Sequence, residues 1–203
     1  MTRVQPLTAD QAPLLARPYY GPDGSASALT ATLAQVPELL EVAMPFIGRV
    51  FAPGSVDLRT KEIVVLRVSA LNGCRYCVDT HTVAAWDAGL SAAETRALCG
   101  AADADIHWEE REAALVAWCD AFCAAPAPVE DAVADALGEH FAEHETVELA
   151  LLAGATAMLN RFCTALELPA SEATVRRLEE AAATIWSPGR MRRGTPGADS
   201  VRQ

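Results

Sequence analysis

The stretch that decides the fold is residues 72–81, which read Asn-Gly-Cys-Arg-Tyr-Cys-Val-Asp-Thr-His. Cys74 and Cys77 form a Cys-x-x-Cys motif, and His81 follows four residues after the second cysteine. Glu62 lies twelve residues upstream of the first cysteine. Two thiols, an imidazole and a carboxylate are the groups that a thiol site with its own proton relay needs. These four residues are therefore the candidate functional site.

The spacing of the cysteines and the histidine predicts that they share one face of a helix. Each residue of an α-helix advances about 100° around the axis. With Cys74 taken as zero, Cys77 lies near about 300° and His81 near about 340°, so the three fall within roughly 60° of one another. We expect the two thiols and the imidazole to point into one pocket.

Glu62 can join this face only if the chain reverses. On one unbroken helix it would lie about 18 Å from Cys74. The Asn72-Gly73 pair is the expected reversal, because glycine accepts the left-handed conformation that ends helices and asparagine tolerates it better than most residues. The resulting hairpin puts Glu62 beside His81. It also leaves both cysteines at the N-terminus of the second helix, where the helix dipole favours a thiolate.

The rest of the chain predicts helices and no strands. Apolar residues at helical spacing from Leu29 onward predict a first helix that ends near Pro53-Gly54. Asp57 begins the helix that bears Glu62, and the apolar run at residues 63–66 indicates that this helix is buried. β-Branched alternation bounded by turn pairs occurs nowhere, so the predicted fold is all-α.

The chain divides into three predicted parts. Residues 1–27 are rich in proline and glycine and form an irregular N-terminal arm, residues 28–186 form the helical domain, and residues 187–203 form a disordered tail. Residues 60–66 match residues 146–152 at an offset of 86. This match favours an internally duplicated helix hairpin, although two alanine-rich helices can also match by chance.

At the same offset, the second half of the chain keeps little of the candidate chemistry. Asn160 stands at the position of the first cysteine, Cys163 at that of the second, and Glu167 at that of the histidine. The duplication therefore predicts that the first half of the chain kept the candidate site residues and that the second half lost most of them.

The composition indicates one globular domain that does not bind nucleic acid. The chain has 203 residues, of which 51% are hydrophobic, enough to bury a core without disulfide or metal staples. A net charge of −11 and a single lysine argue against phosphate binding. No signal-like N-terminal segment and no run near the roughly 18 uncharged apolar residues of a membrane span is found. We therefore expect a cytoplasmic protein without a membrane partner.

Other interpretations of the cysteines are less favoured. A Cys-x-x-Cys motif can be half of a zinc site, but a second pair at ligand spacing is missing, and structural zinc usually takes four Cys or His ligands. A thioredoxin-like motif follows a strand, and no strand is predicted before Cys74. We therefore predict no metal and no bound cofactor. The remaining four cysteines fit small buried hydrophobic residues: Cys99, Cys119, Cys123 and Cys163.

The complete pattern resembles that of a known family. Glu62, eleven residues, Cys74, two residues, Cys77, three residues and His81 match the core pattern of the alkylhydroperoxidase D-like proteins of the carboxymuconolactone decarboxylase superfamily. The resemblance covers roughly residues 28–186. It implies an all-α fold, a homo-oligomer that is a trimer or a multiple of trimers or dimers, and thiol-dependent reduction of small hydroperoxides. It also implies an external dithiol, such as a lipoyl group, as reductant.

The resemblance also implies a role for each site residue. Cys77 is the attacking thiolate, activated by His81 and Glu62, and Cys74 condenses with the resulting sulfenic acid to form a disulfide. Tyr76 stands where family members with the best-defined peroxidase chemistry have histidine, and it is a possible relay residue.

Two other functions remain open. A redox-responsive binding or adaptor protein would use the disulfide to switch a partner contact and would turn over slowly. A decarboxylase of the same superfamily is less favoured, because such enzymes generally lack the cysteine pair.

Overall fold

The computed structural model describes residues 2–101, 106–124 and 128–181. These described residues form nine α-helices and no strand, which confirms the predicted all-α class. The predicted tail at residues 187–203 and the end of the predicted domain at residue 186 lie outside the described residues. In chain order the helices are α1 Ala28–Leu33, α2 Pro37–Phe51, α3 Leu58–Leu71, α4 Arg75–Asp87, α5 Ala92–Leu98, α6 Glu110–Cys123, α7 Asp131–Gly138, α8 Glu143–Leu166 and α9 Glu172–Glu180.

Helix α3 lies at the centre of the domain. Asp57 caps its N-terminus, accepting a hydrogen bond from the backbone N–H of Thr60 at 3.0 Å. The helix packs against α4, α6 and α8, and nine of its fourteen residues are buried. Because neighbours cover most of its faces, the apolar run at residues 63–66 meets protein on every side. The predicted buried helix is confirmed.

The turn between α3 and α4 fixes the position of the cysteines. Gly73 adopts a left-handed φ of 67°. The N–H of Cys74 donates to the carbonyl of Ser69 at 3.0 Å, and the N–H of Gly73 donates to the carbonyl of Ala70 at 3.1 Å. This pair of hydrogen bonds is the Schellman motif, which satisfies the last carbonyls of a helix. The reversal predicted at the Asn-Gly pair is confirmed, and Cys74 becomes the N-cap of α4.

The predicted first helix, from Leu29 to near Pro53-Gly54, is wrong as a single element. Helix α1 ends at Leu33 and α2 begins at Pro37. Proline has no N–H to continue a helix, and it forces the preceding residue out of the helical conformation. Val36 accordingly has φ −132° and ψ 75°. The proline instead occupies the first position of α2, where a missing N–H costs nothing.

Helix α8 is continuous where the internal match predicted a second hairpin. It carries residues 146–152 and also Asn160 and Cys163 without interruption. At the offset of 86, the positions of the Asn-Gly pair are occupied by Met158 and Leu159. Both residues are good helix formers, so nothing ends the helix there. The hairpin itself is not duplicated.

Among the described helices, α8 is the one that could cross a membrane by length and composition alone. Glu148 and Arg161 limit its uncharged stretch to residues 149–160. The helix packs against α3 and α4, and its buried residues include the polar Asn160. It is thus packed as a core helix of this domain.

The single lysine, Lys61, joins three helices from a buried position. Its Nζ donates to the carbonyls of Val50 at 2.8 Å and Ala52 at 2.6 Å, and it pairs with Glu148 of α8 at 2.6 Å. Burial raises the pKa of Glu148, but the hydrogen bond and charge of Lys61 outweigh burial, so that the pKa is lowered overall. The lysine therefore holds the end of α2 and the start of α8 against α3.

Residues 2–27 lie across the helices that surround the site. Within this segment the structure has one 3₁₀ turn, Arg17–Tyr19, and no α-helix. The N–H of Leu7 donates to the carbonyl of Ala31 at 2.9 Å, and the N–H of Arg3 donates to that of Leu166 at 3.1 Å. The segment is thus tied to α1 and to the C-terminus of α8.

Gly73→Ala is expected to destabilise the protein by about 1–2 kcal/mol, because a side chain is strained at a left-handed φ. Urea unfolding measures the loss. Gly48→Ala is the matched control, since Gly48 lies inside α2 with open space around its Cα. The control should be neutral or more stable by about 0.5–1 kcal/mol. Equal stability of the two variants would show that the left-handed turn is not needed.

Candidate active site

The α3–α4 hairpin brings Glu62 and His81 into contact. Glu62 Oε2 lies 2.9 Å from His81 Nδ1. Both side chains are largely buried, with 12% and 22% of their surfaces exposed. Because a carboxylate only accepts hydrogen bonds, Nδ1 carries the proton, and Nε2 is the nitrogen that can accept one. The predicted pairing of this carboxylate with this imidazole is found.

A cavity of about 230 Å³ lies next to this pair, and both Cys77 and His81 line it. Its walls come from α1, α2, α3, α4 and α8 and are mostly apolar. Phe51 of α2 lies against the imidazole, with 5.7 Å between the ring centroids. The cavity therefore presents a thiol of the Cys-x-x-Cys motif and an imidazole to any small molecule that enters.

Cys74 does not line this cavity, so the prediction that all three side chains point into one pocket is wrong for it. Cys74 is fully buried. The N-cap position turns Sγ back toward the helix, where it accepts a hydrogen bond from the N–H of Cys77 at 3.3 Å. Cys74 thus lies behind Cys77, as seen from the cavity.

The geometry makes Cys74 the most acidic thiol of the site. Hydrogen bonds from the thiols of Cys163 and Cys77, together with the backbone N–H of Cys77, lower the pKa of Cys74 to about 3, although burial acts in the opposite direction. This agrees with the general effect of a helix N-terminus on a thiol. The N-terminal position was expected to favour a thiolate, and the charge lies on the first cysteine.

Cys77 keeps its proton while Cys74 carries the charge. A hydrogen bond from Cys163 lowers the pKa of Cys77, but its own hydrogen bond to Cys74 and burial outweigh this, so that the pKa is raised to about 12. Cys74 is therefore the charged thiol, and Cys77 is the thiol of the pair that a molecule in the cavity can reach.

Two residues of α8 that the sequence interpretation did not assign to the site lie in it. Cys163, predicted to be an ordinary buried hydrophobic residue, packs with Cys74 and Cys77 in one cluster and lines the cavity. Asn160 is 1% exposed, donates to Ser69 Oγ at 3.0 Å, and lines the cavity together with Cys77. The internal match had aligned these two residues with the cysteine pair, and that was the available signal.

Tyr76 lines the same cavity as Cys77 and His81, and it packs against the cluster that contains both site cysteines. Burial raises its pKa to about 12, although hydrogen bonds from the Ser27 side chain and the Leu29 backbone act against this. A phenol with that pKa holds its proton at neutral pH, which does not favour the suggested relay role. From the cavity wall, Tyr76 also connects the start of α4 to the start of α1.

The remaining cysteines lie apart from this cluster. Cys119 is fully buried, and Cys99 and Cys123 pack against the main hydrophobic core. Burial raises the pKa of each of the three thiols. They behave as the small buried hydrophobic residues that were predicted. Over the residues that the structure describes, no group of three or more His, Cys, Asp or Glu side chains is arranged to hold a metal ion.

Comparison with known proteins identifies the class. Residues 37–121 match the sequence model of the carboxymuconolactone decarboxylase family. A protein of unknown function from Agrobacterium tumefaciens, whose name relates it to the antioxidant defence protein AhpD, is 26% identical. Its alignment covers 68% of this chain and 94% of that protein, with a TM-score of 0.63.

Two further solved structures share the fold. A peroxidase-related protein from Ralstonia eutropha with an alkylhydroperoxidase AhpD core gives a TM-score of 0.74 at 20% identity, covering 85% of this chain and 94% of its own. The debrominase Bmp8, solved as a cysteine-to-alanine variant in complex with 2,3,4-tribromopyrrole, gives 0.72 at 22% identity, covering 89% and 97%. The present chain therefore has the AhpD-like helical fold, and its residues 37–121 are similar to the carboxymuconolactone decarboxylase family.

One thiolate should persist at mildly acidic pH. At about pH 6, above the Cys74 pKa of about 3 and below the ordinary thiol pKa of about 8.5, the reduced protein should show the ultraviolet absorbance of one thiolate per chain. Cys74→Ser should remove this absorbance, and Cys119→Ala should retain it. Absorbance that stays in Cys74→Ser would place the charge on another cysteine.

Proposed function

We propose that this protein is a thiol-dependent peroxidase that reduces small organic hydroperoxides through Cys77 and Cys74, with His81 and Glu62 as a proton relay. The observation that carries the proposal is the shared cavity. A thiol and an imidazole line it side by side, and a carboxylate holds the imidazole from behind. Peroxide reduction needs a nucleophile and a proton donor at the same place.

In the first step Cys77 attacks the peroxide. Its proton passes to Nε2 of His81, directly or through water, and the thiolate attacks the terminal oxygen of the hydroperoxide. The O–O bond breaks, the sulfur keeps an OH group as sulfenic acid, and the alkoxide takes the proton from the imidazole and leaves as an alcohol. Glu62 stabilises the imidazolium that forms in between, because it accepts from Nδ1.

In the second step Cys74 resolves the sulfenic acid. Its lowered pKa supplies a thiolate next to Cys77 without a further base. The thiolate sulfur attacks the sulfenic sulfur, an S–S bond forms, and hydroxide leaves and takes up a proton to give water. An external dithiol, for which a lipoyl group is the proposed chemistry, then reduces the disulfide. No resident cofactor or metal is required.

The cavity argues for a small substrate. Its volume of about 230 Å³ is below the range of about 300–1,000 Å³ that drug-sized ligands occupy. Its walls include Leu29, Ile47 and Phe51, so that an alkyl or aryl group would lie against apolar surface. A small organic hydroperoxide fits this description better than hydrogen peroxide, which has no apolar group to bury.

A second candidate is reductive removal of halogen from a small aromatic molecule. The apolar walls and the Phe51 ring beside the imidazole suit a flat aromatic ligand as well as a hydroperoxide. The balance is simple: a dithiol and an aryl bromide give a disulfide, the arene and hydrogen bromide. Release of bromide from a bromopyrrole, measured beside hydroperoxide consumption under the same reductant, separates the two activities.

The surface of the chain favours association with further copies of itself. Large apolar side chains are exposed on α2 and α8, and burying them in a homo-oligomer, a trimer or a multiple of trimers or dimers, would remove them from water. Light scattering after size-exclusion chromatography measures the mass, and therefore the number of chains, of this oligomer. A cytoplasmic location and the absence of nucleic-acid and membrane partners remain predictions.

Counting turnovers distinguishes the peroxidase from a redox-responsive adaptor. With excess dihydrolipoamide, a peroxidase consumes many equivalents of cumene hydroperoxide per chain, whereas an adaptor consumes one and stops. A decarboxylase would consume none. Consumption of a single equivalent would contradict the proposed enzyme and favour the adaptor.

Glu62→Gln is expected to lower kcat/KM for hydroperoxide by about 10²-fold or more, because an amide cannot stabilise the imidazolium. The thiol count and helical content should not change. Asp87→Asn is the matched control, since this carboxylate lies at the exposed end of α4 and pairs with Arg177. If Glu62→Gln keeps the rate of the control, Glu62 has no part in the relay.

A further inference from the structure

Cys163 differs from the other buried cysteines of the chain in its surroundings. It is 1% exposed, and α8 places it in one cluster with Cys74, Cys77 and Leu168. The neighbouring sulfurs of Cys74 and Cys77, together with burial, raise the pKa of its thiol. Cys119, by comparison, is surrounded by the hydrophobic side chains of the main core. The site therefore holds three thiols in one buried cluster.

Cys163 also shares the cavity with Cys77. Both residues line it, and Cys74 does not. A sulfenic acid formed on Cys77 would therefore have a thiol on each side. Cys74 lies behind it at the N-cap of α4, and Cys163 lies beside it on α8. Either thiol is placed to attack the Cys77 sulfur, because all three cysteines belong to one buried cluster.

We propose that Cys163 is a second resolving cysteine, so that the oxidised protein forms a Cys77–Cys163 disulfide as well as a Cys74–Cys77 disulfide. This inference rests on the proposed function for the origin of the sulfenic acid. Cys163 loses its proton, its sulfur bonds to the sulfenic sulfur of Cys77, and hydroxide leaves and takes up a proton as water. The two thiols together lose two electrons, and the hydroperoxide is the oxidant that takes them up.

The same disulfide can also arise by exchange. The Cys163 thiol gives up its proton to solvent as its sulfur attacks the Cys77 sulfur of the Cys74–Cys77 disulfide, and Cys74 leaves as a thiolate. No electrons are gained or lost overall. Cys74 is a suitable leaving group, because the backbone N–H of Cys77 at the start of α4 donates to its sulfur. The disulfide then lies on the cavity wall, where an external dithiol reaches both sulfurs.

A second resolving cysteine has a protective consequence. A sulfenic acid that meets another hydroperoxide is oxidised irreversibly to sulfinic acid, and rapid disulfide formation competes with this loss. The chain with Cys163 should therefore keep its activity over more turnovers than Cys163→Ala. This gives the third thiol a function that a hydrophobic side chain of similar size lacks.

The test uses reduced full-length Cys74→Ser, treated separately with one equivalent of cumene hydroperoxide and one equivalent of diamide. Diamide oxidises neighbouring thiols directly and does not depend on peroxidase chemistry. Non-reducing peptide mapping should find a Cys77–Cys163 disulfide in most molecules with either reagent. Cys74→Ser/Cys163→Ala should lose it, and Cys74→Ser/Cys119→Ala should keep it. Circular dichroism establishes that each variant is folded.

The two reagents separate the two proposals. A disulfide with diamide but no reaction with hydroperoxide would support the third redox cysteine and contradict the peroxidase. A trappable sulfenic acid on Cys77, with Cys163 still free after both reagents, would overturn the second resolving cysteine and leave the peroxidase standing. Failure of both reagents to change any of the thiols would overturn both.

Discussion

The left-handed turn at Gly73 is the constraint on which the site depends. Ending α3 there, with the two Schellman hydrogen bonds, reverses the chain within two residues. The same turn sets the register of the hairpin, so that Glu62 meets His81 at 2.9 Å, and it makes Cys74 an N-cap. A shift of one residue would rotate the imidazole by about 100° away from the carboxylate. Backbone geometry therefore precedes and determines the chemistry.

The hairpin places the two cysteines of the motif in different environments. The N-cap position gives Cys74 a backbone donor and a low pKa, at the cost of access to the cavity. The first turn gives Cys77 a place on the cavity wall beside the imidazole, with its proton retained. In the proposed reaction this asymmetry is useful, because the accessible thiol attacks and the charged thiol resolves. If the two thiols had identical environments, attack on the peroxide and resolution of the sulfenic acid would both need the same base to remove a thiol proton.

Local sequence was enough for the parts of the site that lie on the hairpin. Helical spacing and the Asn-Gly pair predicted that Glu62 meets His81, because both depend only on residues close in the chain. The break before Pro37 was equally local, and the predicted single helix was wrong because the apolar periodicity runs on across the proline. Local rules therefore succeed where backbone chemistry, and not hydrophobic spacing alone, is considered.

The contribution of α8 could not be predicted in the same way. Cys163 and Asn160 reach the site through packing of helices some eighty residues apart in the chain, and nothing in their neighbours specifies that contact. The internal match indicated the right positions but suggested a hairpin, whereas α8 runs straight past the site. Tyr76 shows the same limit, because its anchoring beside Ser27 depends on where α1 lies. Side-chain function at long range follows from the fold and not from spacing.

The most direct measurement is intact-mass analysis of the reduced wild type and Cys77→Ser after one equivalent of cumene hydroperoxide, with the alcohol product quantified. We expect the wild type to lose two hydrogens, to form a disulfide that includes Cys77 and to release one equivalent of alcohol, whereas Cys77→Ser should leave the hydroperoxide intact. Alcohol formation by Cys77→Ser at the wild-type rate, or a wild type that stays fully reduced, would contradict it.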